Sequence, residues 1–163
     1  MVSIGDNAFK GCTGLASIVI PNSVISIGDS AFKGCTGLTD ELVIPNSVIS
    51  VGGSAFNGCS GLGSIKISNS VTSIGQATFS DCTGLTSIAI PNSVNSIGDY
   101  AFADNTGLTT LTIPGRVTRI GQNAFNGCTA LESVTIEPSA TNAQMTIGKG
   151  AFQYTGLTSL TIP

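Results

Sequence analysis

The sequence predicts a repeat solenoid, a fold in which short units of chain stack as successive coils. All seven phenylalanines recur at one phase, at intervals of 23, 24, 23, 23, 23 and 27 residues. A glycine and a pair of branched apolar residues recur with the same period. Self-similarity at a fixed period of roughly 20 to 50 residues is typical of stacked arrays. The phenylalanines are Phe9, Phe32, Phe56, Phe79, Phe102, Phe125 and Phe152.

Each unit contains one apolar pair that alternates with polar or variable residues. In the unit from 15 to 37 the pair is Ile18 and Ile20, and a period of two predicts a half-buried strand. Stacking one such strand per unit gives a parallel sheet with about 4.8 Å between coils. The pair recurs as Leu42/Ile44, Ile65/Ile67, Ile88/Ile90, Leu111/Ile113, Val134/Ile136 and Leu160/Ile162.

The rest of the unit predicts turns and a return to the core. Pro21-Asn22-Ser23 ends the strand, because proline lacks an amide donor and the other two residues tolerate turns. The recurrent glycine, Gly28 in this unit, indicates a positive φ or a close backbone approach. Asp29 and Ser30 then offer an N-cap for one helical or 3₁₀ turn that carries Phe32. So short a unit has no room for a long helix, and we therefore expect short turns, 3₁₀ turns or a second short strand on the far side of the coil.

The whole chain, residues 1–163, is predicted to be a single array of about seven 23-residue units, apparently without caps. It begins and ends within a repeat, so we expect a fragment of a longer protein or an engineered array. Two places depart from the period. One residue is added around Asp40-Glu41, and four are added across 137–145. Such insertions map to loops, either as surface drift or on a working face.

The repeat L-x-x-I-x-I-P-N-S-V-x-S-I-G-x-x-A-F-x-G-C-T-G-L resembles the BspA-like, or Treponema-type, leucine-rich repeat, and it covers essentially the whole chain. Asn105 replaces the cysteine in one unit, and residues 153–155 are one residue short in another. The resemblance implies a right-handed, curved coil with its parallel sheet on the concave face. It also implies an extracellular or cell-surface protein that binds other proteins or cells, although no signal peptide is visible in this chain.

Five cysteines share one phase, which raises three functional hypotheses: a disulfide ladder, a metal site and a nucleophile. Parallel neighbours hold their Cβ atoms too far apart for a disulfide, and a straight ladder cannot converge on a tetrahedral metal ion. The chain has no histidine to activate a thiolate. Buried free thiols that act as small apolar side chains are therefore favoured. The five are Cys12, Cys35, Cys59, Cys82 and Cys128.

Composition weighs against several other classes of protein. Six basic residues scattered over 163 form no nucleic-acid patch, and no apolar run could cross a bilayer. Asp6, Asp29 and Asp99 follow the recurrent glycine, but capping explains them better than calcium. The repeated asparagines Asn22, Asn46, Asn69 and Asn92 predict hydrogen bonds from coil to coil. We therefore expect no enzyme activity, no metal, no cofactor, no nucleic acid and no membrane insertion.

The best binding candidates are the outward positions of the predicted strands, which form two stripes on the concave sheet face. The first stripe is Ser17, Glu41, Ser64, Ser87, Thr110, Ser133 and Ser159. The second is Val19, Val43, Lys66, Ala89, Thr112, Thr135 and Thr161. The leading hypothesis is a non-enzymatic interaction or adhesion module whose partner is another protein or a cell-surface component. The alternatives are a structural spacer that self-associates through uncapped ends and, more remotely, an ice-binding surface.

Overall fold

The computed structural model describes residues 2–141 and 143–162, which form a parallel β-solenoid of about seven coils. Within those ranges the chain contains thirteen short strands and no helix. The strands are β1 Val2–Ile4, β2 Val24–Ile27, β3 Leu42–Val43, β4 Ser50–Val51, β5 Ser64–Lys66, β6 Ser73–Ile74, β7 Ser87–Ala89, β8 Ser96–Ile97, β9 Thr110–Ile113, β10 Arg119–Ile120, β11 Ser133–Ile136, β12 Thr146–Ile147 and β13 Ser159–Thr161.

The strands divide into two series that run along the stack. The front strands, β3, β5, β7, β9, β11 and β13, are those predicted from the alternating apolar pairs. They form two parallel ladders, β3-β5-β7 and β9-β11-β13. The back strands, β1, β2, β4, β6, β8, β10 and β12, lie near the Val24–Ile27 phase and form two further ladders. Equivalent residues pair in register, as Ile65 does with Ile88 and Val134 with Leu111.

One predicted strand is missing. Residues 17–20 of the first described unit carry the right alternation, but they adopt no strand, and β3 pairs on one side only, with β5. The residue added around Asp40-Glu41 lies between the two segments. The two coils still bond before this point, where the Thr39 amide donates to the Ala16 carbonyl at 3.2 Å, but among the described residues no backbone bond joins 17–20 to 40–44 after it.

The phenylalanines form one continuous column in the core. Neighbouring rings lie 5.0 to 5.7 Å apart between centroids, with interplanar angles of 2 to 18°. The five central rings are buried, whereas Phe9 in the first coil is 39% exposed. Leucine, isoleucine and valine ladders flank the column and complete a single core. Like side chains therefore meet like along the whole stack.

The segment that carries each phenylalanine is a run of turns, which confirms the short turns predicted for the far side of the coil. Ser30 and Gly34 both have positive φ, 54° and 74°. The equivalents of these two residues repeat the conformation in every coil. The amides of residues 30, 32 and 34 donate to carbonyls of the next coil, at 2.7 to 2.9 Å. The alternate amides bond within the coil to the carbonyl three residues back, as Lys33 does to Ser30 at 3.1 Å, so the segment uses both kinds of bond.

The recurrent glycine is required by close approach and not by its φ. A Cβ added to Gly28 would lie 2.6 Å from the Asp6 amide nitrogen, closer than real Cβ contacts allow. The aspartate that follows the glycine forms a hydrogen bond with the next coil. Asp29 Oδ1 accepts a hydrogen bond from the Gly53 amide in the next coil at 2.7 Å. The predicted N-cap role is therefore corrected to a bond between coils.

The asparagine series forms a partial ladder. Asn46 Oδ1 accepts from the Asn69 amide at 3.1 Å, which is a contact from side chain to backbone between coils. The series ends at Gly115, where the asparagine is replaced. A Cβ at Gly115 would collide with the carbonyl oxygen of Pro138. The four-residue insertion thus packs against the position where the asparagine series stops.

We predict that Phe79→Ala will lower the free energy of unfolding by about 3–5 kcal/mol, because rings on both sides prevent collapse into the cavity. Urea denaturation measures the change. The matched variant Phe9→Ala, at the exposed end of the column, is expected to cost only about 1–2 kcal/mol. Equal losses for the two variants would contradict the stacked column.

Candidate functional site on the front strands

The two predicted stripes lie on the outer side of the front strands. Their members alternate with buried residues, as in β9, where Thr110 and Thr112 are exposed while Leu111 and Ile113 are buried. Register pairing brings each stripe into a column: Thr112 faces Thr135, which faces Thr161. Ser64 and Ser133 are half-buried, and the other twelve positions are exposed.

The chemistry of this face is mostly that of hydroxyl and small side chains. Lys66 and Glu41 are the charged members of the stripes, and no member is aromatic. Serine and threonine hydroxyls donate and accept hydrogen bonds, and ordering these short side chains costs less conformational entropy than ordering long ones. Because the ladders fix the backbone, the columns present an ordered array of polar contacts rather than a catalytic constellation.

The face also has a groove beside β3, at the place where the sheet is interrupted. It has a volume of about 530 Å³ and lies between residues 17–22 and residues 40–45. Val19 is 89% exposed and Val43 is 43% exposed, so both present apolar surface to solvent. Asp40 and Glu41 supply two carboxylates. Sequence reasoning found the extra residue here but not the groove that it creates.

A second concave region accompanies the insertion across 137–145. A groove of about 480 Å³ is lined by residues that include Arg116 and Ser139, and a smaller one of about 250 Å³ by residues that include Val117 and Met145. Arg119 nearby forms an ion pair with Asp99 at 2.9 Å, with both side chains substantially exposed. An exposed pair of this kind contributes little to stability.

The cysteines form a structural ladder. Cys35, Cys59, Cys82 and Cys128 are buried free thiols, as predicted, but Cys12 in the first coil is exposed. Each buried thiol donates to the carbonyl of a phenylalanine in the preceding coil, as Cys59 does to Phe32 at 3.2 Å. The other donors are Cys35, Cys82 and Cys128. The cysteine phase thus ties the turns to the aromatic column.

Burial keeps these thiols protonated. Desolvation raises the pKa of Cys59 and of Cys128 from the ordinary value of 9.0 to about 12. It also raises the pKa of Cys35 and of Cys82. A thiol that stays neutral at physiological pH is a poor nucleophile and a poor metal ligand.

Asn105 shows which hydrogen bond is made at the position that cysteine occupies in other coils. It is fully buried, and its Nδ2 donates to the carbonyls of Phe79 at 2.8 Å and Phe102 at 2.7 Å. The first of these bonds is the one that a thiol makes in other coils. Its Oδ1 has no hydrogen-bond partner. The substitution therefore preserves the donor and leaves one buried acceptor unsatisfied.

The described residues contain no group of three or more His, Cys, Asp or Glu side chains placed to hold a metal ion. Nor does any helix in residues 2–141 or 143–162 have the length and apolar character needed to cross a membrane.

The chain matches the family described as BspA type Leucine rich repeat region (6 copies) over residues 2–129 and 55–163. Together these spans cover nearly every residue, and the chain belongs to this family. No curated protein matches it. Leucine-rich repeats are generally modules for protein interaction and are typically not enzymes.

Solved structures agree in fold. The leucine rich repeat protein of T. pallidum, TpLRR, is 30% identical with a TM-score of 0.74, over 82% of this chain and 62% of that one. A leucine-rich repeat protein from Bacteroides ovatus is 32% identical with a TM-score of 0.69, over 97% and 46%. A leucine rich cell surface protein from Faecalibacterium prausnitzii shares the fold at 24% identity, with a TM-score of 0.60 over 88% and 60%. The chain thus spans less than two thirds of each of these proteins.

We predict that folded protein at pH 8 will react with a thiol reagent at Cys12 alone, because burial raises the pKa of the other four. Mass spectrometry of the alkylated chain locates the adduct, and rapid modification of Cys59 at pH 8 would contradict the prediction.

Stability is also expected to depend on pH. The folded thiols hold their protons to higher pH than unfolded ones, so their contribution to stability is constant below about pH 9 and falls between about pH 9 and 12, which urea denaturation at a series of pH values measures. The loss is at most about 1.4 kcal/mol per pH unit for each buried thiol.

For Asn105, we predict that Asn105→Cys will leave stability within about 1 kcal/mol of the wild type, because the thiol keeps one bond and removes the orphaned acceptor. Asn105→Ala is expected to cost about 1–3 kcal/mol, since it leaves the Phe79 carbonyl unpaired in the core. Urea denaturation of the three proteins compares them. If alanine proved as stable as cysteine, the hydrogen bond would not be what this position requires.

Proposed function

We propose that this chain is a protein-binding module of a surface or secreted protein and that its front strands make the contact. The observation that carries the proposal is the pair of exposed columns, held in register on rigid parallel ladders. A preordered surface loses little conformational entropy on binding, and this lowers the cost of association. Membership of a repeat family that generally mediates protein interactions supports the same function.

The chemistry of the stripes favours a polar, extended contact. Serine and threonine hydroxyls can bond a partner's backbone and side chains, directly or through water. No tryptophan, tyrosine or arginine lies in the stripes to serve as a hot-spot anchor. Affinity would then come from many modest contacts along the stack, which suits an adhesion protein that engages many copies at once.

A surface or secreted location is part of the proposal and rests on the repeat family alone. BspA-type repeats resemble those of bacterial and protist surface proteins that bind host or neighbouring cells. This chain spans 62% of the T. pallidum protein and 46% of the Bacteroides ovatus protein, so the location and partner of the whole protein are part of the proposal. The partner is therefore expected to be another protein or a cell-surface component.

Self-assembly through the end coils is the second candidate function, and a specific observation favours it. Apolar side chains in the outermost described coils are exposed: Phe9 by 39%, Leu160 by 47% and Ile162 by 62%. Stacking of two copies end to end would cover them and continue the ladders. In that case the array acts as a spacer or assembly unit rather than as a binding module.

Site-specific photo-crosslinking distinguishes the two functions. We predict that a photoreactive residue at Thr112, on the front strands, will crosslink a partner from a mixture of cell-surface proteins. The matched position Thr72, an exposed threonine beside the back strand β6, is expected to capture none. A probe at Phe9 reports contact between copies of the chain. Equal capture at Thr112 and Thr72 would overturn the front-strand proposal, and self-crosslinks at Phe9 alone would favour the spacer.

A further inference from the structure

The front ladder is open on one side of β3, and this leaves backbone groups available. Ile44 donates its amide to the carbonyl of Lys66 at 2.9 Å, so the Ile44 backbone faces β5. Because neighbouring residues in a strand point their amides to opposite sides, the Val43 amide and carbonyl face residues 17–20. Within the described ranges a single backbone bond, from the Thr39 amide to the Ala16 carbonyl at 3.2 Å, joins segments 15–20 and 39–44.

Side chains at the same place combine apolar walls with negative charge. Val19, Val43, Pro21 and Pro45 all line the 530 Å³ groove. Asp40 and Glu41 are exposed and form no ion pair within the described residues. Lys66 lies beside Val43 in register, yet it also forms no ion pair with either carboxylate. The groove therefore offers acidic groups that form no ion pair in the described residues, beside exposed aliphatic surface.

The second interruption of the front ladder has a different character. Between β7 and β9 the ladder also breaks, but the residues that meet there are Ser87, Ala89, Thr110 and Thr112, and none is charged. No residue is added at that point, whereas one is added at Asp40-Glu41. The combination of added residue, exposed valines and carboxylates is particular to the groove beside β3.

We propose that this groove receives an extended segment of the protein partner that carries a lysine or arginine side chain. The inference deepens the proposed function and rests on it. A basic side chain matches the groove in both of its parts, because its aliphatic stem packs on Val19 and Val43 while its charged end meets Asp40 and Glu41. The outward-facing backbone of Val43 can bond the segment's main chain, as in strand addition to a sheet edge. A negative net charge of −3 also favours a basic partner during encounter.

The test uses two blocked peptides, one of four Lys-Thr repeats and one of four Glu-Thr repeats, titrated into the isotopically labelled chain at low salt. We expect the Lys-Thr peptide to shift the amide resonances of Val19, Glu41 and Val43, and to bind at least several-fold more tightly than the Glu-Thr peptide. High salt should weaken the binding, because exposed charges are screened. No shift with the Lys-Thr peptide, or shifts elsewhere on the chain, would overturn the proposal.

Two variants separate the charge from the apolar wall. Asp40→Asn with Glu41→Gln removes both charges at constant shape and is expected to weaken peptide binding by roughly three- to tenfold. Val19→Thr with Val43→Thr exchanges methyl groups for hydroxyls and is expected to weaken it by a smaller factor. The control, Asp104→Asn with Glu132→Gln, removes two exposed carboxylates from other coils and should change affinity by less than about twofold. An equal loss of affinity in the control would show that net charge alone causes the effect, and it would contradict a local binding site in the groove.

The same charge variant distinguishes this proposal from the proposed function. If a probe at Thr112 still captures its partner with unchanged affinity in the Asp40→Asn, Glu41→Gln protein, the groove proposal fails while the binding module stands. If the peptide binds the groove but Thr112 captures nothing above Thr72, the front-strand binding module fails and the groove remains as an isolated site.

Discussion

Backbone hydrogen bonds between coils are the constraint on which this structure depends. In the turn segments, the amides of one coil donate to the carbonyls of the next, from Asn7 to Asp29 at the start and from Gly127 to Gln153 near the end. Bonds of this kind hold successive coils about 5 Å apart, which is the spacing at which aromatic rings stack. The phenylalanine column, with centroids 5.0 to 5.7 Å apart, follows from it.

The spacing of about 5 Å between coils determines which contacts the glycine, aspartate and cysteine side chains make. A coil so close to its neighbour excludes a Cβ at Gly28 and brings the Asp29 carboxylate within reach of the next coil's amide. It also brings each buried thiol to a phenylalanine carbonyl. Aspartate and cysteine are residue types that catalysis and metal binding commonly use, but here Asp29 and the buried thiols make hydrogen bonds between coils. The binding surface proposed above lies elsewhere, on the outward face of the front strands.

Much of this could be predicted from sequence because periodicity reports directly on stacking. The phase of Phe79 places it in the column, and the Leu111/Ile113 pair defines a strand. The turns could not be predicted in the same way. Their positive φ falls on serine, alanine and tyrosine as well as glycine, and it is imposed by bonds to the neighbouring coil rather than by residue type. The missing first strand and the exposed Cys12 likewise depend on what lies beside them, which a repeat pattern does not encode.

The irregular positions of the array are the places where its surface differs from one coil to the next. A perfect repeat presents the same small polar side chains in every coil, and such a surface offers a partner no unique register. Added residues break that equivalence. The insertion that packs on Gly115 adds a loop over the stack, and the residue added at Asp40-Glu41 opens the edge of β3. Because specificity is a difference in affinity between alternative registers as well as between partners, it requires such non-equivalent positions. In the binding module proposed above, the regular coils would supply rigidity and length, while the departures from the period would fix where along the stack a partner binds.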